Sequence, residues 1–247
     1  MDRDITITQH LLEGSTATFD VTTIEAQRPI CTCLFSVGRG GNPNRHLSFL
    51  ERLAKAGCSV IAPHFEMLAY PVPTANELDN RVSQLECSLN KLANSNLALM
   101  GVGHSIGTVM LLVLAGGKAM TLSGAPVVSK EHHRFDRLVL MAPPAGFFVD
   151  SASLSQVQSQ VQIWAGGLDI VTPPSEATVL ATRLAPSASV NVHVDDEANH
   201  FTFMDELPPQ AMESHPNADA FRAALATDIG SFLTEGNDLL EKAGRAL

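Results

Sequence analysis

The chain is poor in aromatic residues, with one Trp and one Tyr beside eleven Phe in 247 residues, and poor in charge, with Asp, Glu, Lys and Arg making only 17% of it. Basic residues are the scarcer sign: 16 Lys and Arg stand against 26 Asp and Glu, a formal charge of −10. A phosphate backbone calls for a clustered basic surface, so this balance argues against a nucleic-acid partner. Long apolar runs are missing as well. The longest, around Val109 to Ala115, is far short of the roughly 20 residues that cross a bilayer, which predicts a soluble protein with no membrane span. The start, Met1-Asp2-Arg3-Asp4, lacks the basic n-region and apolar h-region of a secretory signal. Cysteine is limited to Cys31, Cys33, Cys58 and Cys87, the first two on one face of a predicted strand. They read as buried free thiols in a reducing compartment, which points to the cytoplasm.

With hydrophobic residues at 45%, the chain can bury one substantial core, and a single α/β domain over residues 1–247 is expected. Residues 4–25 alternate loosely and predict an antiparallel pair turning at Glu13-Gly14-Ser15. Beyond them the pattern changes to strands alternating with helices. Strands are expected at 30–37, 58–62, 97–100, 137–141, 160–165 and 190–194, and helices at 44–56, 75–92, 108–115, 175–184 and 219–233. Such alternation implies crossover connections and a mainly parallel sheet covered on both faces.

Gly101-Val102-Gly103-His104-Ser105-Ile106-Gly107 stands at the junction of one of these strands and the next helix. Its last five residues fit G-x-S-x-G, in which a serine occupies a strained strand-to-helix turn and small neighbours two positions away relieve the crowding. The bare pattern arises by chance in roughly one chain of this length in twelve, so its context carries the weight. A dinucleotide-binding G-x-G-x-x-G would place its third glycine at Ile106, and no Gly-Lys-Ser/Thr follows for a phosphate loop.

A serine hydroxyl is a poor nucleophile near neutral pH and needs an imidazole to take its proton and a carboxylate to orient that imidazole. Asp169 follows the strand ending near Ala165, and His200 follows the strand ending near Val194, so both are candidates. Asp169 competes with a helix-capping role, and Asp150 is a rival carboxylate. His104, His132, His133 and His193 are rival imidazoles, although His104 adjoins the serine too closely to fold back as its base. The run from His193 through Asp195, Asp196 and Glu197 to His200 has no recognisable metal-ligand spacing and reads as a solvated acidic loop, so no metal or other cofactor is expected. Phe65, Tyr70, Phe147, Phe148 and Phe201 are candidates to line an apolar pocket.

These residues resemble the α/β-hydrolase superfamily, and more narrowly its dienelactone hydrolase-like branch, which also holds the plasma-type platelet-activating-factor acetylhydrolases. The resemblance runs from about Ile30 to Leu233 on four pieces: Phe35 to Asn42, Ile61-Ala62-Pro63, Gly103 to Gly107 and Ala198 to Phe203. It implies Ser105 as nucleophile, His200 as general base and Asp169 as its orienter. It also implies an oxyanion hole from the backbone N–H groups of Ile106 and Arg39. Two departures stand out. Relatives usually carry His-Gly in the early loop, and Val37 takes the histidine's place here, so the bracing of that loop must come from elsewhere. Many dienelactone hydrolases use cysteine as nucleophile, and Ser105 points instead to general ester chemistry. The Arg39 guanidinium either stands near the mouth of the site, where it would favour a carboxylate-bearing substrate, or faces solvent. Only about 15 residues follow Ala142-Pro143-Pro144 before the next strand, which leaves no room for a cap domain.

The expected activity is hydrolysis of small-molecule carboxylic esters through an acyl-enzyme. A thioesterase or small-peptide hydrolase would use the same groups, and a non-catalytic binding protein of the same fold is the alternative from another class.

Overall fold

Described in a computed structural model are residues 4–69 and 72–236. Strands β1 (Ile5–Glu13) and β2 (Thr18–Ala26) pair antiparallel across the expected turn, where the Gly14 N–H donates to the Ala17 carbonyl at 3.0 Å. Only β2 is inward-facing along most of its length. The next strand, β3 (Cys31–Ser36), is buried at every position, as suits a strand covered on both faces. The helix expected over 44–56 splits into a 3-10 turn, Pro43–His46, and α1 (Leu47–Ala56). Asn42 caps that turn, and Pro43 has no N–H to donate, so the chain tightens before the α-helix begins.

After β4 (Cys58–Pro63) comes α2 (Ala75–Leu92), with the bounds its pattern predicts. Thr74 and Glu77 form a reciprocal capping box at its start: the Thr74 hydroxyl accepts from the Glu77 N–H, and Glu77 accepts from the Thr74 N–H. Strand β5 (Ala98–His104) leads into α3 (Gly107–Leu114), every residue of which is buried. A small hairpin, β6 (Ala119–Met120) with β7 (Pro126–Val127), follows; each strand is two residues long, too short for a periodic signal in the sequence. The remaining elements are β8 (Arg137–Met141), a 3-10 turn at Ser151–Leu154, β9 (Gln160–Gly166), α4 (Pro174–Leu184), β10 (Ser189–Asp195) and α5 (Ala218–Thr234).

Among the described residues, eight strands form one sheet in the order β1-β2-β4-β3-β5-β8-β9-β10. It is parallel from β4 to β10 and antiparallel at β1, β2 and β4. The chain moves from β3 to β4 in one direction, then returns past β3 to β5 and continues outward. Right-handed crossovers therefore send α1 to one face and α2 to the other. The helices pack accordingly, α1 against α5 and α2 against α3. The reversal opens a crevice at the carboxyl ends of β3 and β5, the place where open α/β sheets bind ligands. Both ends carry site residues expected from the sequence.

The cysteines stay as free thiols. Cys31 and Cys58 are register partners whose Sγ atoms lie 3.2 Å apart, and burial pushes the Cys33 thiol well above its ordinary range. No helix among the described residues is long and apolar enough to cross a membrane.

The capping box should hold the first turn of α2. Thr74→Ala is expected to lower stability by about 1 kcal/mol, read as a shifted urea midpoint with an unchanged slope; an unmoved midpoint would show that the cap contributes nothing.

Candidate active site

Ser105 sits one residue beyond β5 with φ +55°, a left-handed conformation that costs a non-glycine residue about 1–3 kcal/mol. Tertiary contacts hold it there. Its N–H donates to the Met141 carbonyl at 2.8 Å, and its own carbonyl accepts from the N–H and hydroxyl of Thr108 at 3.0 and 2.7 Å. Of the flanking glycines, Gly107 is a steric requirement and Gly103 is tightly packed. A Cβ on Gly107 would stand 2.0 Å from the Ser36 carbonyl oxygen, and one on Gly103 would stand 3.0 Å from the Thr108 backbone nitrogen. Helix α3 can therefore start hard against the end of β3 only with glycine at position 107.

His200 lies in the turn after β10, and its Nε2 is 3.0 Å from the Ser105 Oγ. Its Nδ1 is 2.8 Å from Asp169 Oδ2, in the loop after β9. The His200 and Asp169 side chains are only 7% and 0% exposed. Burial alone would raise the Asp169 carboxyl. The His200 hydrogen bond and charge, with donors from Thr172, outweigh it and hold the group below the ordinary aspartate range. Asp169 Oδ1 accepts from the N–H groups of Val171 and Thr172, both at 2.8 Å. An ionised carboxylate only accepts, so the proton belongs on His200 Nδ1, and the Nε2 lone pair faces the serine hydroxyl.

The rivals fall elsewhere. Pro173 stands at the N-cap of α4 and makes no side-chain cap bond, so Asp169 is not that helix's cap. Asp150 caps the 3-10 turn that follows it, accepting from the Ser153 N–H at 2.9 Å and its hydroxyl at 3.0 Å. His193 stacks on Trp164, with centroids 4.3 Å apart. Asp195 closes its own turn onto the Glu197 and Ala198 N–H groups. The acidic loop thus does not converge, and among the described residues no group of three His, Cys, Asp or Glu is placed to hold a metal ion.

Three neighbours of this hydrogen-bonded chain were not legible as site residues. The buried Thr172 hydroxyl lies 2.8 Å from Asp169 Oδ2, 3.0 Å from His200 Nδ1 and 3.0 Å from the Ala142 carbonyl. Its single proton serves either the carboxylate or the carbonyl, so it ties the Asp169 loop to the end of β8. His104, set aside as a base, donates from Nε2 to the His200 backbone carbonyl at 3.0 Å. His46 stacks edge-on against His104 with centroids 5.1 Å apart, and its Nδ1 donates to the Phe203 carbonyl at 3.1 Å. Burial drives both rings toward neutrality, His46 to about 4 and His104 well below the ordinary histidine value. A three-ring column thus underlies the site, because the His104 and His200 centroids are 5.0 Å apart.

The early loop passes directly beside the serine: a Cβ on Gly38 would lie 3.2 Å from the Ser105 Cβ. The Ile106 N–H has no protein acceptor among the described residues. Arg39 is half-buried rather than solvent-facing, and its guanidinium donates to the Ala69 carbonyl. Val37 is buried apolar surface, and the bracing it cannot supply comes from Arg81 on α2. That side chain is 2% exposed and donates to the carbonyls of Gly38 (2.9 Å), Arg39 (2.8 Å) and Glu66 (2.5 Å). An arginine in an amphipathic helix reads as solvated in a sequence; only the loop carbonyls packed over it reveal its burial.

The proposed apolar lining needs correcting. Phe148 is wholly enclosed in the core and offers no surface to a ligand. Phe65 packs under the Arg81 guanidinium, 4.9 Å from its ring centroid, and Phe147 is likewise buried. Phe201 is half-buried and stands edge-on to His200, with centroids 5.3 Å apart. Tyr70 lies outside the described residues.

No protein-family model matches the chain, and no curated protein matches it in sequence. Solved structures match it in fold. An α/β serine hydrolase homologue from Coxiella burnetii is 18% identical, with 90% of this chain and 96% of that one covered at a TM-score of 0.62. An esterase from Pyrococcus furiosus is 14% identical, with 93% and 92% covered at 0.64. A dienelactone hydrolase from Anabaena variabilis is 13% identical, with 92% and 96% covered at 0.64. The chain has the α/β-hydrolase fold.

Two measurements test this geometry. In an unfolded chain His46 takes up a proton near pH 6.5, whereas in the fold it does so only near 4. Its share of stability is therefore complete above pH 6.5 and is lost as pH falls toward 4, about 3 kcal/mol in all. His46→Asn should reduce the slope of unfolding free energy against pH between 6.5 and 4.5 by about 1.4 kcal/mol per pH unit; an identical slope would contradict a neutral buried ring. Gly107→Ala should destabilise by about 3 kcal/mol or more, because the clash is with backbone; a urea midpoint like wild type would show that α3 has room to shift.

Proposed function

We propose that this protein is a serine hydrolase of carboxylic esters that works through an acyl-enzyme. The observation that supports this most directly is the unbroken hydrogen-bonded chain from Ser105 through His200 to Asp169, built on a strained serine at the sheet's switch point. A binding module has no use for such a chain.

In this reading His200 Nε2 takes the Ser105 proton as Oγ attacks the ester carbonyl. The imidazolium that forms is stabilised through Nδ1–H by ionised Asp169. Negative charge develops on the former carbonyl oxygen, where the N–H groups of Ile106 and Arg39 would receive it. Collapse of the tetrahedral intermediate expels the alcohol, which takes the proton back from His200, and leaves the acyl group on Ser105. Water then attacks that acyl group with His200 again as base, and release of the acid restores the serine. Thr172 and His104 hold the base from two sides, one at its ring and one at its backbone carbonyl.

A fluorophosphonate probe should label the folded protein once, at Ser105, and Ser105→Ala should abolish labelling. Asp169→Asn should leave the fold intact and lower kcat about 10⁴-fold, through loss of the required tautomer. Assayed on p-nitrophenyl esters of graded chain length, with thioesters and lactones alongside, the enzyme should turn over oxygen esters fastest. Faster thioester turnover would assign it to thioesterases, and a folded protein that never labels would exclude the serine-hydrolase reading altogether.

A further inference from the structure

We propose that Arg81 is the positioning residue of the oxyanion hole, fixing the Gly38–Arg39 peptide so that the Arg39 N–H faces the reacting carbonyl. This rests on the serine-hydrolase reading. A trans peptide is planar, with its carbonyl and N–H pointing in opposite directions. The carbonyl of the Gly38–Arg39 unit accepts from Arg81 Nη1 at 2.9 Å and from the Gly41 N–H at 3.1 Å, which fixes the orientation of the whole plane. The glycine that begins this plane lies against the serine, a Cβ on Gly38 meeting the Ser105 Cβ at 3.2 Å, so the peptide held by Arg81 runs beside the nucleophile. The following carbonyl, of Arg39, is held as well, by Arg81 Nη2 at 2.8 Å and the Leu68 N–H at 3.1 Å. Two successive peptides of the loop are thus held through their carbonyls by one side chain.

The fork of a guanidinium suits this task. Nη2 also reaches the Glu66 carbonyl at 2.5 Å, and the Phe65 N–H donates to Gly41, so the loops after β3 and β4 are locked together around one cation. Three carbonyl contacts at separate positions need several donors in a fixed plane, which a lysine ammonium cannot match. No carboxylate among the described residues is hydrogen-bonded to Arg81; Glu77 acts on it through space, and the acceptors in direct contact with its donors are backbone carbonyls. A cation on the carbonyl side of a peptide polarises that peptide and makes its N–H a stronger donor. Arg81 therefore places the donor and also strengthens it. Val37 fits the same picture: the loop is braced from helix α2, and position 37 is free to be core.

The test compares wild type with Arg81→Lys and Arg81→Gln after Ser105 labelling of the wild type has been established. Arg81→Lys should lower kcat on a p-nitrophenyl ester about 100-fold, with KM within twofold, because the donor matters in the transition state. Inhibition by an alkyl trifluoromethyl ketone, whose hemiketal oxygen occupies the same donors, should weaken by a similar factor. A residue that only supports the fold would move the urea midpoint and leave the ketone's relative affinity unchanged. Should neither variant fold, the wild type still decides. On forming the ketone adduct, the Arg39 amide proton should move downfield in its NMR spectrum, and an unmoved resonance would overturn the proposal. Folded variants that keep kcat and ketone affinity within twofold would overturn it too. A wild type that never labels would instead remove the serine-hydrolase reading itself.

Discussion

The backbone at Ser105 is the constraint on which the rest of the site depends. A positive φ at a residue with a side chain is unfavourable, and here it persists because the strand before it and the helix after it are both packed into the core. Strand β5 lies between β3 and β8, and α3 is wholly buried. The absence of a Cβ at Gly107 lets the helix press on the Ser36 carbonyl. Those contacts turn the serine hydroxyl out of the sheet edge and toward His200.

Around that fixed point, polar groups are arranged in layers, with His46 Nε2, Ser36 Oγ and Arg81 Nε buried without a hydrogen-bond partner. Asp169 receives two backbone N–H groups on one oxygen and the imidazole on the other, with the Thr172 hydroxyl beside it. Beneath His200, His104 and His46 are neutral rings that donate to backbone carbonyls. Arg81, by contrast, keeps its charge in an almost fully buried position, with burial pushing its pKa only to about 10. The site thus combines one permanent buried cation, one ionised carboxylate and a set of imidazoles of which only His200 meets the serine.

Much of this was legible in the sequence, and the legible parts share a cause. Helix α2 was bounded correctly because Thr74-Ala75-Asn76-Glu77 spells a capping box and an apolar period follows. Ser105, Asp169 and His200 stand out as candidates because each follows a strand within a local pattern, and their side chains meet in the fold. What escaped was set by partners far away in the chain. Arg81 looks like any helix arginine until carbonyls 43, 42 and 15 residues distant close over it. Thr172 is one hydroxyl in a turn until His200 arrives. Phe148 sits in a loop that suggested a pocket wall, yet it packs inward, because an irregular segment gives no periodicity from which to read a direction.

The separation of Ser105 from His200 by 95 residues has a consequence for how the site comes into being. No short segment contains even two of its three principal members, since the nearest pair, Asp169 and His200, is itself 31 residues apart. Closing loops of that length costs entropy that local contacts cannot offset, and parallel strands are slow to pair for the same reason. The serine therefore meets His200 only when β5, β8, β9 and β10 lie side by side, and the geometry of the site reports on the completed sheet rather than on any one piece of it.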